Sequence, residues 1–305
     1  MVKMHIKRLI KIMKCYLCPR KCGAERTEHT PGGVCASPLL PMAARAAAHY
    51  GEEPCISGER GSGAVFFTGC NLKCVFCQNR EISRGGGGKA LSVQELRDVF
   101  LRLQDENVHN INIVTGTHYT PAIAEALSMA RLKIPVVWNS SGYESVETLK
   151  MLEGLVQIYM PDLKYLDSSL AARYSAAPDY PEAAVKAIAE MFRQRGKFEL
   201  DDDGMLRSGV LVRHLILPGA LDNSRAVIDH IAENYPGDEI LFSLMSQYTP
   251  MPGLERYPEL CRGITKEEND ELIDYMTDKG IEYGYWQEPD SSTGDMIPAF
   301  DLTGL

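Results

Sequence analysis

The sequence predicts an α/β protein built on a parallel sheet. Three observations carry that reading. From about residue 60 onward, short apolar, β-branched runs alternate with segments of helical period. Two of the helical segments open on capping boxes, Ser92 with Glu95 and Thr265 with Glu268. Three cysteines follow the first apolar run directly, on the loop where α/β folds place their ligands. A chain of 305 residues, 45% hydrophobic and 24% charged, is long enough for one large core with an appendage.

Taken in order, the runs Ala64 to Phe67, Ile111 to Thr115, Val136 to Ser140, Val156 to Met160, Val210 to Leu217 and Glu239 to Met245 read as strands, with Ile281 to Trp286 as a short seventh. Between them, Val93, Leu96, Val99, Phe100 and Leu103 recur at helical spacing, and Leu272, Ile273 and Met276 form the buried stripe of the second capped helix. Further helices are expected over about Pro121 to Leu132, Ser145 to Glu153, Pro181 to Gln194 and Asp222 to Asn234. Periodicity alone leaves a doubly wound sheet and a partial barrel both open. Gly58, Gly61 and Gly63 come before the first strand rather than after it, so they fail the context of a dinucleotide fingerprint. Gly85 to Gly88 reads as a flexible tether and Asp201-Asp202-Asp203-Gly204 as a solvated loop.

The formal charge of −9 argues against wholesale neutralisation of nucleic-acid phosphates. A basic segment nevertheless opens the chain, with Lys3, Lys7, Arg8, Lys11, Lys14, Arg20 and Lys21 ahead of any acid. It reads as an amphipathic helix, or as a contact for a partner or an anionic surface. Its lysines interrupt every apolar stretch, so it suits neither a secretory signal nor a membrane span, and a cytoplasmic location without membrane partners is expected. Nine cysteines in such a chain read as metal ligands rather than as a disulfide framework. Cys15, Cys18, Cys22 and Cys35 supply four soft ligands, with Pro19 and Gly23 helping a tight turn. They suit a tetrahedral zinc site or a second 4Fe-4S cubane, and Cys55 is an alternative to Cys35. Cys261 reads as a packing residue.

Cys70, Cys74 and Cys77 stand within eight residues, in Gly69-Cys70-Asn71-Leu72-Lys73-Cys74-Val75-Phe76-Cys77, with no fourth cysteine close behind. Three thiolates suit a 4Fe-4S cluster that leaves one iron without a protein ligand, whereas structural zinc wants four ligands. The spacing C-x-x-x-C-x-aromatic-C resembles the signature of the radical S-adenosylmethionine (SAM) superfamily. That resemblance implies an incomplete (β/α)6 TIM-type barrel, a cluster held by the three cysteines, and SAM chelated on the open iron. It also implies reductive cleavage of SAM to a 5'-deoxyadenosyl radical, with Phe76 against the adenine and an electron donor such as flavodoxin or ferredoxin.

If the sheet is assigned correctly, the strand ends converge on one polar mouth. It collects Thr115-Gly116-Thr117-His118, Asn139-Ser140, Asp162-Leu163-Lys164, Arg213-His214 and Ser246-Gln247-Tyr248. Here the resemblance narrows to enzymes that activate glycyl radical enzymes, the pyruvate formate-lyase activating enzyme-like branch. Asp162 and Lys164 resemble their D-x-K stretch, Arg213 their arginine ahead of a Pro-Gly turn, and Asn139 with Ser140 their third-strand polar pair. The backbone of Thr115, Gly116 and Thr117 occupies the place of the family's Gly-Gly-Glu motif, without its acid. His118 and His214 read equally well as satisfied structural histidines. The expected organisation is a cysteine-rich metal-binding extension over 1–60, the barrel over 61–290 and a tail over 291–305. The implied function is radical abstraction of hydrogen from a protein or peptide, with a glycyl radical enzyme as the favoured substrate. The alternatives are radical modification of a small molecule or RNA, and a non-catalytic iron-sulfur or zinc scaffold.

Overall fold

The computed structural model describes residues 13–287 and 298–305. Most of the basic opening segment and residues 291–297 of the expected tail lie outside the described residues. The principal strands are β1 (Met42–His49), β2 (Ser62–Phe67), β3 (Ile111–Val114), β4 (Val136–Ser140), β5 (Ile158–Pro161), β6 (Leu206–Leu215), β7 (Leu241–Met245) and β8 (Gly284–Trp286). From β2 to β8 every strand pairs in parallel with the next in sequence. A doubly wound sheet reverses its strand order at a switch point. This one never does, so the α/β class resolves to a partial barrel that stays open between β8 and the β1 edge.

The helices form as the spacing predicts, with both capping boxes closed. Elsewhere the elements differ locally. The segment expected as one helix over Ser145 to Glu153 is a single α turn, Val146–Leu149, followed by a 3-10 turn, Lys150–Leu152. A helix at Ser168–Ser175, capped by the Asp167 side chain, was not expected. Nor was β1, which lies inside the stretch assigned to the extension and pairs antiparallel with β2. Residues of the C-terminal tail continue the edge: Leu302 N donates to Ala44 O and Ala46 N to Thr303 O, at 3.0 and 2.9 Å.

Alternation along the strands divides the side chains between two environments. Val65, Phe67, Ile111, Ile113, Val136, Trp138, Tyr159, Val212 and Phe242 point outward into the main core beneath the helices. The inward set begins with an apolar floor, where Cys55 and Ile56 from the short turn Pro54–Ser57 pack against Val137, Ile158, Met160, Leu206, Leu211 and Leu241. Cys55 is therefore remote in role from the N-terminal cysteines: burial among these side chains pushes its thiol up to about 12. Above the floor the inward positions turn polar, with Asn112, Asn139 and Arg213 on β3, β4 and β6.

Ile56 has no exposed surface. Ile56→Ala is expected to lower unfolding free energy by about 2–5 kcal/mol, measured by urea titration; a change near zero would show that the turn does not seal the barrel.

Candidate functional site

The mouth of the barrel contains a cavity of about 300 Å³. Cys70, Cys74, Cys77, Phe76, Thr115, Asn139, Ser140, Asp162, Lys164 and Arg213 all line it, as do Gln247 and Glu52. The structure thus gathers on one surface the three clustered cysteines and most of the expected cofactor-binding residues, but not Gly116, Thr117 or the four N-terminal cysteines. Gly116 and Thr117 stand behind the wall. A Cβ on Gly116 would come within 2.6 Å of Ile113 Cγ2, and the Thr117 hydroxyl donates to Glu144 Oε1 at 2.8 Å. His118 and His214 are buried and satisfy structural bonds, His118 Nε2 to Thr68 O at 2.8 Å and His214 Nδ1 to Leu163 O at 2.7 Å.

The cysteine loop leaves the C-terminal end of β2. The hydroxyl of Ser175 donates to Cys74 Sγ at 3.1 Å and Leu72 N to Cys70 Sγ at 3.4 Å. Burial, reinforced by the neighbouring Cys74 and Cys77, pushes the Cys70 thiol up to about 12. A positively charged metal cluster offsets that repulsion, so the three thiols suit metal ligation. Among the described residues no three His, Cys, Asp or Glu side chains converge as ligands of a single ion. In a cubane each thiolate binds a separate iron rather than one shared ion. Phe76 packs edge-on against Tyr174 and Tyr248, with ring centroids 6.5 and 6.2 Å away, which fixes one face of the cavity.

Opposite the cysteines lies a charged hub. Arg213 donates from Nε to Asp162 at 3.2 Å, from Nη1 to Glu52 at 2.9 Å and from Nη2 to Asn139 at 2.7 Å. Lys164 Nζ donates to the other Asp162 oxygen at 2.5 Å. Burial opposes the Asp162 charge, but Lys164 and Arg213 outweigh it and hold its carboxyl below the usual range. Burial likewise opposes the Lys164 charge, and Asp162 with Cys74 reverses that effect and raises it. Lys164 is therefore an ammonium between a carboxylate and the cysteine loop, with donors left for a ligand. Gly142 makes the approach possible: at φ +72°, a Cβ there would lie 2.2 Å from Asp162 O.

Two acids were not singled out from the sequence. Glu52 comes from the loop after β1 and accepts from Asn112 Nδ2 and Asn139 Nδ2, each at 3.0 Å, as well as from Arg213. Its signal was indirect: an arginine in the apolar run Val210-Leu211-Val212-Arg213 needs a buried anion. Glu144 accepts from Thr117, Trp138 Nε1 and Ser140, at 2.8, 2.8 and 2.9 Å, and ties the loops after β3 and β4 together.

The N-terminal cysteines lie behind this wall rather than in it. The pairs Met13–Lys14 and Glu25–Arg26 form a small hairpin that carries Cys15, Cys18 and Cys22. Arg20 from the hairpin donates to Asn71 O at 2.9 Å and Ser175 O at 3.2 Å, on the cysteine loop and its support.

Residues 64–231, more than half of the chain, match the Radical SAM superfamily, and the chain belongs to it. The chain is 29% identical over 270 residues to the uncharacterized protein MJ0674 of Methanocaldococcus jannaschii, covering 85% of this chain and 73% of that one. Among solved structures it is similar to Streptococcus suis SuiB bound to precursor peptide SuiA, at 15% identity and TM-score 0.49, over 75% of this chain and 49% of that chain. It is also similar to a domain of pyruvate-formate lyase-activating enzyme from Bacteroides vulgatus, at 15% identity and TM-score 0.37, over 64% of this chain and 91% of that chain. The chain spans about half the length of the SuiB structures. Among the described residues no helix is long and apolar enough to cross a membrane.

Glu52→Gln replaces one carboxylate oxygen by an amide donor that must face either Arg213 or the two asparagine amides. A loss of about 1–3 kcal/mol is expected in chemical denaturation, and unchanged stability would mean that the hub does not form. Burial lowers His118 to about 3 and His214 to about 4, from an unfolded value near 6.5. Both stay neutral in the folded chain while the unfolded chain takes up protons. Stability is therefore full above about pH 6.5 and falls on acidification, by up to about 1.4 kcal/mol per pH unit for each histidine. Urea midpoints between pH 7.5 and 5 measure this, and a flat profile would contradict it.

Proposed function

We propose that the protein is a radical SAM enzyme that abstracts hydrogen from a protein or peptide, with a glycyl radical enzyme as the favoured substrate. The observation that carries the reading is the shared cavity, which brings the three-cysteine loop opposite Asp162, Lys164, Asn139 and Ser140. In this reading Cys70, Cys74 and Cys77 hold a 4Fe-4S cluster, and Cys15, Cys18, Cys22 and Cys35 hold a second metal. When bound, the first cluster supplies the electron for reductive cleavage of SAM to a 5'-deoxyadenosyl radical, with a carrier such as flavodoxin or ferredoxin as the source.

The residues of the chain bind and orient. Lys164 offers its remaining donors to the SAM carboxylate, and the Thr115 backbone faces the amino group, Thr115 being held at φ +60°. Ser140 and Asn139 supply hydrogen bonds to the ribose side, while Phe76 closes on the adenine. Arg213 spends one N–H from each guanidinium nitrogen on holding Asp162, Glu52 and Asn139 in place, and its two remaining N–H groups are donors for SAM. The D-x-K stretch and the arginine ahead of Pro218-Gly219, both resembling activating enzymes, support the protein substrate.

Cys74→Ala is expected to abolish 5'-deoxyadenosine release by anaerobically reconstituted protein under reductant; persistent release would overturn the cluster assignment. Capture of a protein partner under the same conditions would support the substrate class, and salt-sensitive RNA binding without such a partner would favour the nucleic-acid alternative.

A further inference from the structure

The helix Ser168–Ser175 ends against the cysteine loop, on both sides of Cys74. Lys73 N donates to Ser175 O at 3.4 Å and Val75 N to Tyr174 O at 2.8 Å, so the residues flanking Cys74 are tied to the last turn of the helix. Arg20 Nη2 also donates to Ser175 O, at 3.2 Å. Ser175 is therefore fixed by its backbone relative to the loop. Its hydroxyl lies 3.1 Å from Cys74 Sγ and 2.9 Å from the Tyr165 hydroxyl.

Ser175 and Tyr165 have no exposed surface, so neither hydroxyl can turn to bulk water. The direction of their hydrogen bonds follows from counting protons. Each hydroxyl has one proton to give, and a phenol keeps its proton at neutral pH. If Ser175 donated to Tyr165, the phenolic proton would have no acceptor, because among the described residues Tyr165 Oη has no hydrogen-bond partner besides Ser175. Cys74 Sγ would lose its donor as well. Both protons are placed only when Tyr165 donates to Ser175 and Ser175 donates to Cys74. Two O–H dipoles in series then point at the sulfur, and each bond polarises the next. The neighbouring ligands are treated differently: Cys70 Sγ receives Leu72 N from its own loop at 3.4 Å, and Cys74 alone of the three is met by a side-chain hydroxyl.

We infer that Ser175 and Tyr165 act through Cys74 as positioning residues: their relay of hydrogen bonds onto Cys74 Sγ raises the reduction potential of the 4Fe-4S cluster that this cysteine ligates. The inference rests on the proposed reading of Cys70, Cys74 and Cys77. Donors to a ligating sulfur stabilise the reduced, more negative cluster more than the oxidised one, and so favour uptake of an electron. The balance is simple: the carrier loses one electron, the cluster gains it, and no proton leaves Ser175 or Tyr165. A substitution that removes the relay should therefore make the cluster harder to reduce without removing any of its ligands.

An EPR-monitored redox titration of the anaerobically reconstituted full chain tests this, following the reduced signal that changes on adding SAM. In Ser175→Ala the ratio of reduced to oxidised cluster at a fixed ambient potential is expected to fall about tenfold, a midpoint lower by ~59 mV for a one-electron couple. Tyr165→Phe removes one oxygen and keeps the serine, and is expected to lower the midpoint by less. Tyr159→Phe is the control for loss of a buried phenol: its hydroxyl donates to Gln194 in the outer core, and its removal is expected to leave the midpoint unchanged. A midpoint that is unmoved or raised in both Ser175→Ala and Tyr165→Phe would overturn the inference, as would an equal fall in Tyr159→Phe. If Ser175→Ala does not bind iron, Tyr165→Phe alone decides. Wild-type protein without a SAM-sensitive signal would overturn the reading of the cysteine loop, and the inference with it.

Discussion

The guanidinium of Arg213 is the constraint around which the barrel interior is organised. Its side chain is 13% exposed, inside the barrel one layer above the apolar floor. A charge in such a place is tolerated only with close, well-aligned partners. Those partners come from three separate parts of the chain: Glu52 from the loop after β1, Asp162 from the end of β5 and Asn139 from β4. Satisfying one cation therefore sets the relative heights of the strand ends. The same bonds fix the wall that faces the cysteines before any ligand arrives, which is how a preorganised site avoids reorganisation on binding.

The layering follows from that constraint together with alternation. Inward positions near the N-terminal strand ends meet Cys55 and Ile56 and form a dry floor. One step higher, the floor's seal allows Asn112, Glu52 and Arg213 to pair with each other instead of with water. Higher still, Lys164, Ser140 and the cysteine loop border the cavity. Glu53 extends the charged layer downward. Burial raises its carboxyl, as it does that of Glu144, while Arg213 opposes the shift.

The parallel strands were legible because each is a short apolar run of strand length, and the capped helices because their N-termini carry both members of the box. β1 was not. Met42-Ala43-Ala44-Arg45-Ala46-Ala47-Ala48 is rich in the strongest helix former, and long-range pairing with β2, Lys89–Ala90 and the C-terminal tail makes it a strand. The cysteine loop and the strand-end residues could be found by position, since strand ends in such folds point to one mouth. Glu52 could not, because it reaches the mouth from below and from outside the repeating units. The barrel itself rests on strand order, a long-range property that periodicity does not encode.

The position of the N-terminal hairpin explains how a short irregular loop can hold three cysteines in place. Between β2 and the turn Arg80–Ser83 the cysteine loop contains no regular element. Its backbone groups must therefore find partners elsewhere. Arg20 takes Asn71 O and Ser175 O, Val75 N donates to Tyr174 O at 2.8 Å, and Asn71 Nδ2 donates to Tyr143 O at 2.6 Å. Gly69 lets the loop turn at φ +82° directly against Cys35 and Ser37, where a Cβ would lie 2.1 Å from Ser37 Oγ. The loop is thus clamped from behind by the hairpin and from the side by Ser168–Ser175, leaving its thiols free to face the cavity. An extension that looks separable in sequence is in this respect the rear wall of the site.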